Sequence, residues 1–226
     1  PYGGGTGVMG AVVPTLGGIV LALQRMNKIL AINPTDMTAK VEAGVVLADL
    51  ENAPALQGLM PGHDPYSVPI ATIAGTISTN SVGYRAAAFG PMGEQVVALE
   101  VVLPNGQNMS TRAVPKNSSG PNLNQLFIGT EGVFGVITRA TIKVFRQPEA
   151  RALATAGFDN FDLGFAAASE LLALGIRPTL LDLTEEDNHV RLHLLFEGYG
   201  EGVAAEQNRS MQVCAEFGGR DIGPDY

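Results

Sequence analysis

Two stretches hold the residues whose types and spacing could do chemistry. Residues 1–10 read PYGGGTGVMG. Glycines leave backbone amides unshielded, so such a loop can turn its N–H groups toward an anion. Three phosphate-loop readings compete. A P-loop requires Lys followed by Ser or Thr after its last glycine, and that pair is absent. Gly5, Gly7 and Gly10 spell the dinucleotide fingerprint G-x-G-x-x-G, but the fingerprint must open a helix, and Pro14, Gly17 and Gly18 prevent one. The third reading is a glycine loop that holds a pyrophosphate by its amides outside a Rossmann unit. A simple turn is the bland alternative.

The second stretch is residues 61–84, PGHDPYSVPIATIAGTISTNSVGY. Pro61, Pro65 and Pro69 fix φ and remove donors, which predicts an extended, irregular first half. The second half is crowded with Thr72, Thr76, Ser78, Thr79, Asn80 and Ser81, and Asp64 is the only acid. A wall of neutral hydrogen-bonding groups suits a large, mostly uncharged ligand. A partnerless Ser/Thr-rich loop is the alternative.

Several elements must position these stretches. Residues 18–23 (GIVLAL) and 28–34 (KILAINP) read as short strands, the first apolar throughout and expected to be buried. Residues 38–46 alternate, with Ala39, Val41 and Ala43 on one face. Residues 47–59 carry Leu47, Leu50, Ala53 and Leu56 at helical spacing, with a kink expected near Pro54. Residues 95–106 form a strand ending in a Pro-Asn-Gly turn, with another strand starting near Gln107. A short helix is expected over 122–128, capped at Gly129. Residues 133–145 alternate, with Val136, Thr138, Ala140, Ile142 and Val144 opposing Ile137, Arg139, Thr141 and Lys143. A boundary falls at 147–150. Beyond it the rhythm is β-α-β-β-α, one strand short of a ferredoxin-like unit.

The histidines offer little metal chemistry. His189 and His193 are four residues apart in an alternating stretch, so they share a strand face and read as exposed rather than ligating. His63 reads either as a hydrogen-bonded loop residue or as a contact near a bound ligand. Cys214, between apolar neighbours, reads as a core residue.

Composition bounds the rest. At 226 residues, 46% hydrophobic and 16% charged, the chain can build one large domain or two modest ones. A net charge of −8 without basic runs argues against nucleic acid. No apolar run reaches the ~20 residues of a membrane span. The single cysteine fits a reducing compartment, and a cytoplasmic location is expected. The chain opens at Pro1 in the middle of a motif and reads as a piece of a longer protein.

PYGGGTG (1–7), GHDPYSVPIATIAGTISTNSVG (62–83) and GTEGVFGVIT (129–138) together resemble the flavin-binding segments of the vanillyl-alcohol-oxidase, or PCMH-type, flavoproteins. The branch is the FAD-linked oxidases, with glycolate oxidase, D-lactate dehydrogenases and alkyl-dihydroxyacetonephosphate synthase. LLFEGYGEGV (194–203) and AEFGG (215–219) resemble the substrate domain of that synthase.

The resemblance implies an α+β fold. Residues 1–148 would form a PCMH-type FAD-binding domain without its N-terminal subdomain, and 149–226 part of a ferredoxin-like substrate domain. It implies FAD, bound non-covalently. Pro1, Tyr2, Gly3, Gly4, Gly5, Thr6 and Gly7 would wrap the pyrophosphate. Tyr66, Ser67, Val68, Pro69, Ile70, Ala71 and Thr72, with Thr79, Asn80, Ser81 and Val82, would line the pyrophosphate and the ribityl–isoalloxazine face. Glu131, Gly132, Val133, Phe134, Gly135, Val136 and Ile137 would reach the cofactor from the end of the short helix. Ala74 stands where relatives often have a glycine. The family's catalytic residues lie outside this chain, and so does its metal site.

The reaction implied is oxidation of a small 2-hydroxy acid, D-lactate- or glycolate-like, by hydride transfer to flavin N5. The electron acceptor is unidentified, and a homodimer is an expectation. Two alternatives stand beside it: a non-redox transferase like the synthase, and an inert FAD-binding fragment. The synthase carries an arginine that aligns near Asp182, and an acid there speaks for the oxidoreductase.

Overall fold

The computed structural model describes residues 1–53, 56–115 and 118–224. The chain divides into two compact units, Pro1–Gly83 with Gly90–Arg146, and Tyr84–Phe89 with the chain from Gln147 onward.

In the first unit, β1 (Ile29–Asn33) and β2 (Thr38–Glu42) form an antiparallel hairpin. Its turn is an Asx turn, with Asn33 Oδ1 accepting from the amides of Thr35 and Asp36 at 3.0 and 3.1 Å. Ala39, Val41 and Ala43 face the core, as their alternation predicts. Helix α1 (Leu47–Glu51) buries Leu47 and Leu50, and is shorter than its apolar spacing predicts. The kink expected at Pro54 falls outside the described residues. The chain resumes as β3 (Leu59–Pro61), then α2 (Ile73–Ser78), α3 (Ala86–Phe89, which belongs to the second unit) and α4 (Met92–Gln95). β4 (Val96–Val102), β5 (Asn108–Ser110), a 3-10 turn (Leu123–Leu126) and β6 (Val136–Arg146) complete the unit.

β6 is the strand on which the unit is assembled. The sheet order is β1-β2-β6-β4-β5, and β3 pairs with the far end of β6. Strict alternation along β6 fails at one place. Glu100 pairs with Arg139 but Val101 pairs with Ile137, so Thr138 is bulged out. The bulge shifts the phase, and Ile137 is buried on the side of Ala140, Ile142 and Val144 instead of opposing them.

Residues 18–23 depart further from expectation. They form no strand, and Ile19 is 97% exposed. Their one pairing among the described residues is a bridge from Ala22 to Tyr2. An apolar run is a strand signal only if both of its faces find cover, and these residues flank a cavity instead.

The second unit is a sheet with helices on one face. β7 (Ala150–Phe158), α5 (Phe161–Ala173), β8 (Leu180–Glu186), β9 (His189–Gly198), α6 (Gly200–Glu216) and β10 (Arg220–Gly223) give the order β10-β7-β9-β8, antiparallel throughout. β10 supplies the strand that the sequence rhythm lacks, and the unit is ferredoxin-like. Asn160 caps α5 by accepting from Leu163 N at 3.0 Å. Gly164 lets α5 sit close to the sheet, since a Cβ there would come within 2.8 Å of Leu183 Cδ1. Leu192, Leu194 and Phe196 fill the space beneath the helices, and Cys214 is buried with them.

The opposite face of β9 carries polar residues. His189 is exposed as expected, but His193 is buried, with Nδ1 3.2 Å from the hydroxyl of Thr155 on β7. The shared face is correct and the exposure is not, because His193 pairs across the sheet with Thr155 and Asp182 in a central strand. No cluster of metal-ligating side chains forms among the described residues.

On β9, Glu197 is buried between two arginines, Arg85 at 3.2 Å and Arg151 at 2.7 Å. Arg85 is itself buried, whereas the Arg151 side chain is 57% exposed. Glu197→Gln removes the carboxylate charge that faces a buried guanidinium, and should destabilise this unit by about 3 kcal/mol. Arg151→Ala removes only a screened partner and should cost under about 1 kcal/mol. Urea unfolding of the two variants measures the difference; equal losses would show that the buried pair carries no special weight.

Candidate functional site

The glycine loop starts anchored. Tyr2 donates its amide to Leu21 O at 2.8 Å and accepts from Leu23 N at 3.0 Å, while Gln24 Nε2 donates to Gly3 O at 3.2 Å. From there the loop lies directly against the second stretch. A Cβ on Gly3 would run into the Thr72 hydroxyl, and one on Gly4 into the carbonyl oxygen of Ile70. Gly5 has φ +68°, where a side chain is strained and would also meet the Tyr2 hydroxyl. At Gly7 there is open space. Among the described residues the N–H groups of Gly4, Gly5, Thr6 and Gly7 donate to no acceptor. A run of free amides is what the amide-cradle reading requires, and no helix follows to support the dinucleotide fingerprint.

The second stretch is built differently from a plain hydroxyl wall. After β3 the chain turns through residues 66–70, and Ala71 O and Val68 O accept from Leu47 N and Ala48 N, so α1 holds it in place. Thr72 then caps α2, its Oγ1 accepting from Gly75 N at 3.4 Å. Several hydroxyls satisfy their own backbone. Thr76 donates to Ile73 O at 2.9 Å and Thr79 to Gly75 O at 3.1 Å. The Asn80 carboxamide oxygen accepts from Gly93 N at 2.9 Å, with Asn80 itself at φ +46°. Ser81 Oγ lies 2.7 Å from His63 Nε2. Tyr66, Pro69, Ile70 and Val82 are exposed, Ser67 and Val68 half-buried, and Ala71 buried.

The third segment meets both of the others. Gly129 N donates to Ile77 O at 3.1 Å and Glu131 N to Ser78 O at 2.9 Å, which pins it to the end of α2. Gly129, Glu131 and Gly132 all have positive φ, giving a tight turn. Gly132 faces the Pro1 ring with no room for a side chain, and Gly135 packs on Val101. Val133 and Phe134 point outward, 71% and 58% exposed.

Where the three segments meet there is a cavity of about 220 Å³. It is lined by Pro1, Tyr2 and Gly3, by Thr72 and Thr79, and by Glu131, Gly132, Gly135, Val136 and Ile137 from among the anticipated residues. Gly4 to Gly7, residues 66–71 and 80–82, Val133 and Phe134 lie outside its lining. The sequence reading missed one whole wall: Ala11, Val12, Val13, Pro14, Ile19, Val20 and Leu23. Ala74, Gly75 and Ser78 on α2, which belong to the hydroxyl-rich stretch but were not assigned to the cofactor, also line the cavity. The available signal was the absence of any charged residue from Pro1 to Leu23, unusual for a surface loop.

The wall chemistry is divided: apolar on one side, hydroxyl and amide on the other, with no lysine or arginine in the lining. At this volume, below the roughly 300–1,000 Å³ of most ligand clefts, the cavity takes one part of a molecule the size of FAD. Larger cavities, of about 520 and 560 Å³, lie beside Thr111 and beside Arg191, away from the three segments. The hydroxyls and the apolar wall converge on this cavity, the amides of Gly4 to Gly7 lie outside its lining, and size alone does not select a site. The glycine cradle and its unpaired amides are suited to FAD.

Comparison with known proteins agrees. Residues 1–112 match the model of an FAD binding domain. The chain is 37% identical over 187 residues to glycolate oxidase subunit GlcD of Bacillus subtilis, covering 82% of this chain and 40% of that protein. It is 36% identical to the mitochondrial D-lactate dehydrogenase [cytochrome] 1 of Saccharomyces cerevisiae, covering 83% and 32%. It is 32% identical to alkyldihydroxyacetonephosphate synthase of Caenorhabditis elegans, covering 84% and 32%. The chain spans less than half the length of the curated relatives it matches. Among solved structures, an alkyldihydroxyacetonephosphate synthase superposes with TM-score 0.88 at 24% identity, covering 100% of this chain and 47% of that one. p-Cresol methylhydroxylase follows at 0.73 and 21%, covering 92% and 49%. With its glycine cradle, its two α+β units and these relatives, the chain belongs to the PCMH-type FAD-binding flavoproteins, in the FAD-linked oxidoreductase branch.

Proposed function

We propose that the complete protein is an FAD-dependent oxidoreductase that oxidises a small 2-hydroxy acid of the D-lactate or glycolate type. The observation that carries the reading is the identity of 35–37% to relatives named for those substrates. Bound FAD would supply the acceptor for the α-hydrogen as a hydride. The first unit serves the cofactor: the amides of Gly4 to Gly7 bind its pyrophosphate, Ser78 and Thr79 offer polar contacts, and Val12, Val13, Ile19 and Val20 offer an apolar face. Attachment is non-covalent, in keeping with a cavity lined by neither histidine nor cysteine. The second unit serves the substrate, and the base that takes the hydroxyl proton is not assigned within this chain.

A second reading, a non-redox transferase of the synthase type, draws support from the 32% identity to that enzyme. Asp182, half-buried on β8, speaks against it, since an arginine is expected there. Anaerobic addition of D-lactate or glycolate to the FAD-loaded full-length protein separates the readings. Bleaching of the oxidised flavin absorbance is the expected result, and failure with every small 2-hydroxy acid would remove the oxidoreductase proposal.

The cofactor assignment is tested on two glycines. Gly4→Ala drives a methyl into the Ile70 carbonyl, so FAD affinity should fall at least about tenfold together with thermal stability. Gly7→Ala meets no protein atom, so the melting temperature of the apoprotein should hold while FAD affinity falls, again by about tenfold. Unchanged FAD binding in Gly7→Ala would place the cofactor away from this loop.

A further inference from the structure

His63 begins the hydroxyl-rich stretch and Ser81 ends it, 18 residues later. Their side chains join at 2.7 Å, Nε2 to Oγ. The ends of the stretch also touch along the backbone, since a Cβ on Gly83 would come within 2.8 Å of the Asp64 backbone nitrogen. Between them lie Thr72, Ala74, Gly75, Ser78 and Thr79, which line the cavity. The imidazole is 3% exposed, and its Nδ1 is buried without a hydrogen-bond partner among the described residues. Either neutral tautomer can bond Ser81 through Nε2 while leaving Nδ1 unsatisfied. The imidazolium cannot be accommodated so cheaply, because it adds a buried charge and a second N–H with no acceptor.

We infer that His63 is a positioning residue for the cofactor: in its neutral form, bonded to Ser81, it latches the 63–81 stretch shut around the cavity, and its protonation releases the latch. The inference rests on the assignment of this cavity to FAD. Gly62 packs beside it against Phe145 of β6 and Gln95 of α4. The charged side chains on the elements around it are Asp64, Glu94 of α4, and Arg139, Lys143 and Arg146 of β6. None of them accounts for its titration. Burial alone pushes the His63 pKa down from 6.5 to about 4. The sign follows: a group with a lowered folded pKa, neutral in the latched state, favours opening as pH falls below 6.5. Between pH 7.5 and pH 5 the opening equilibrium should rise about 30-fold, taking 6.5 for the open and about 4 for the latched state.

The test has two readouts on the full-length protein. The first, without cofactor, is amide hydrogen exchange of residues 63–81, corrected for intrinsic rate, at pH 7.5 and pH 5. The second is the rate of FAD release, followed by recovery of flavin fluorescence. Wild-type protein should show both rising about 30-fold on acidification. His63→Gln, which keeps a hydrogen-bonding group without titrating, should show a change of less than about threefold. Ser81→Ala should exchange and release faster already at pH 7.5. Equal pH dependence in wild type and His63→Gln would overturn the latch. Accelerated exchange with FAD release indifferent to pH would overturn its role in positioning the cofactor. Failure to take up FAD at all would instead strike the cofactor assignment, and the exchange experiment would still decide the latch.

Discussion

The site depends on one constraint: two stretches of backbone some 65 residues apart must touch with nothing between them. Gly3 and Gly4 lie on Ile70–Thr72 so closely that a single methyl group would collide with a carbonyl or a hydroxyl. This contact occupies one side of the loop, and the N–H groups of Gly4 to Gly7 donate to no acceptor among the described residues. It also explains why α2 begins where it does. Thr72 is at once the wall against Gly3 and the residue whose Oγ1 caps the helix. A side chain in either glycine would move the loop, the cap and the cavity together.

The rest of the first unit keeps those stretches in register. β6 pairs with β2, β3 and β4, so the strand leading out of the third segment also fixes β3, from which the second segment starts. The bulge at Thr138 is useful here. It buries Ile137 beside the cavity while leaving Glu100 between Lys40 and Arg139 on the outer face. Those two cations hold the Glu100 carboxyl below its ordinary pKa, chiefly through the hydrogen bond from Lys40. The Glu100 cluster thus sits on the outer face of the sheet, and Glu131 is the one charged residue in the cavity lining.

How much of this was legible follows from which signals were local. The alternation of β2, the Pro-Asn-Gly turn after β4 and the β-α-β-β-α rhythm of the second unit are short-range patterns, and the structure follows them. β10 was not legible, because it has four residues, three of them exposed, and so no apolar period to read. Nor was α2, since a six-residue helix inside a stretch rich in Thr and Ser reads as a loop until Thr72 is seen to cap it. The three segments of the site were named from their motifs. Their hydroxyl and amide side chains were credited to a ligand, although those of Thr76, Thr79 and Asn80 are engaged with backbone groups. The apolar wall was misread at residues 18–23, whose hydrophobicity was assigned to a strand core, and residues 11–13 were given no role. Periodicity reports that a residue seeks cover, not what covers it.

An acidic chain that binds an anionic cofactor has an electrostatic problem, and the division of labour in this site is its solution. With a net charge of −8, long-range attraction for a pyrophosphate is absent. No lysine or arginine lines the cavity to compensate for that. In the proposed site, binding would come from short-range dipoles held at fixed positions, and dipoles lose their value quickly when they are misplaced. That is why the loop ends need fixing by close backbone contact at Gly4 and Gly83 and by the bond between His63 and Ser81. Where charges attract, the geometry can be loose. Where only amides and hydroxyls attract, the backbone must be held, and glycine packing with neutral side-chain bonds is how this chain holds it.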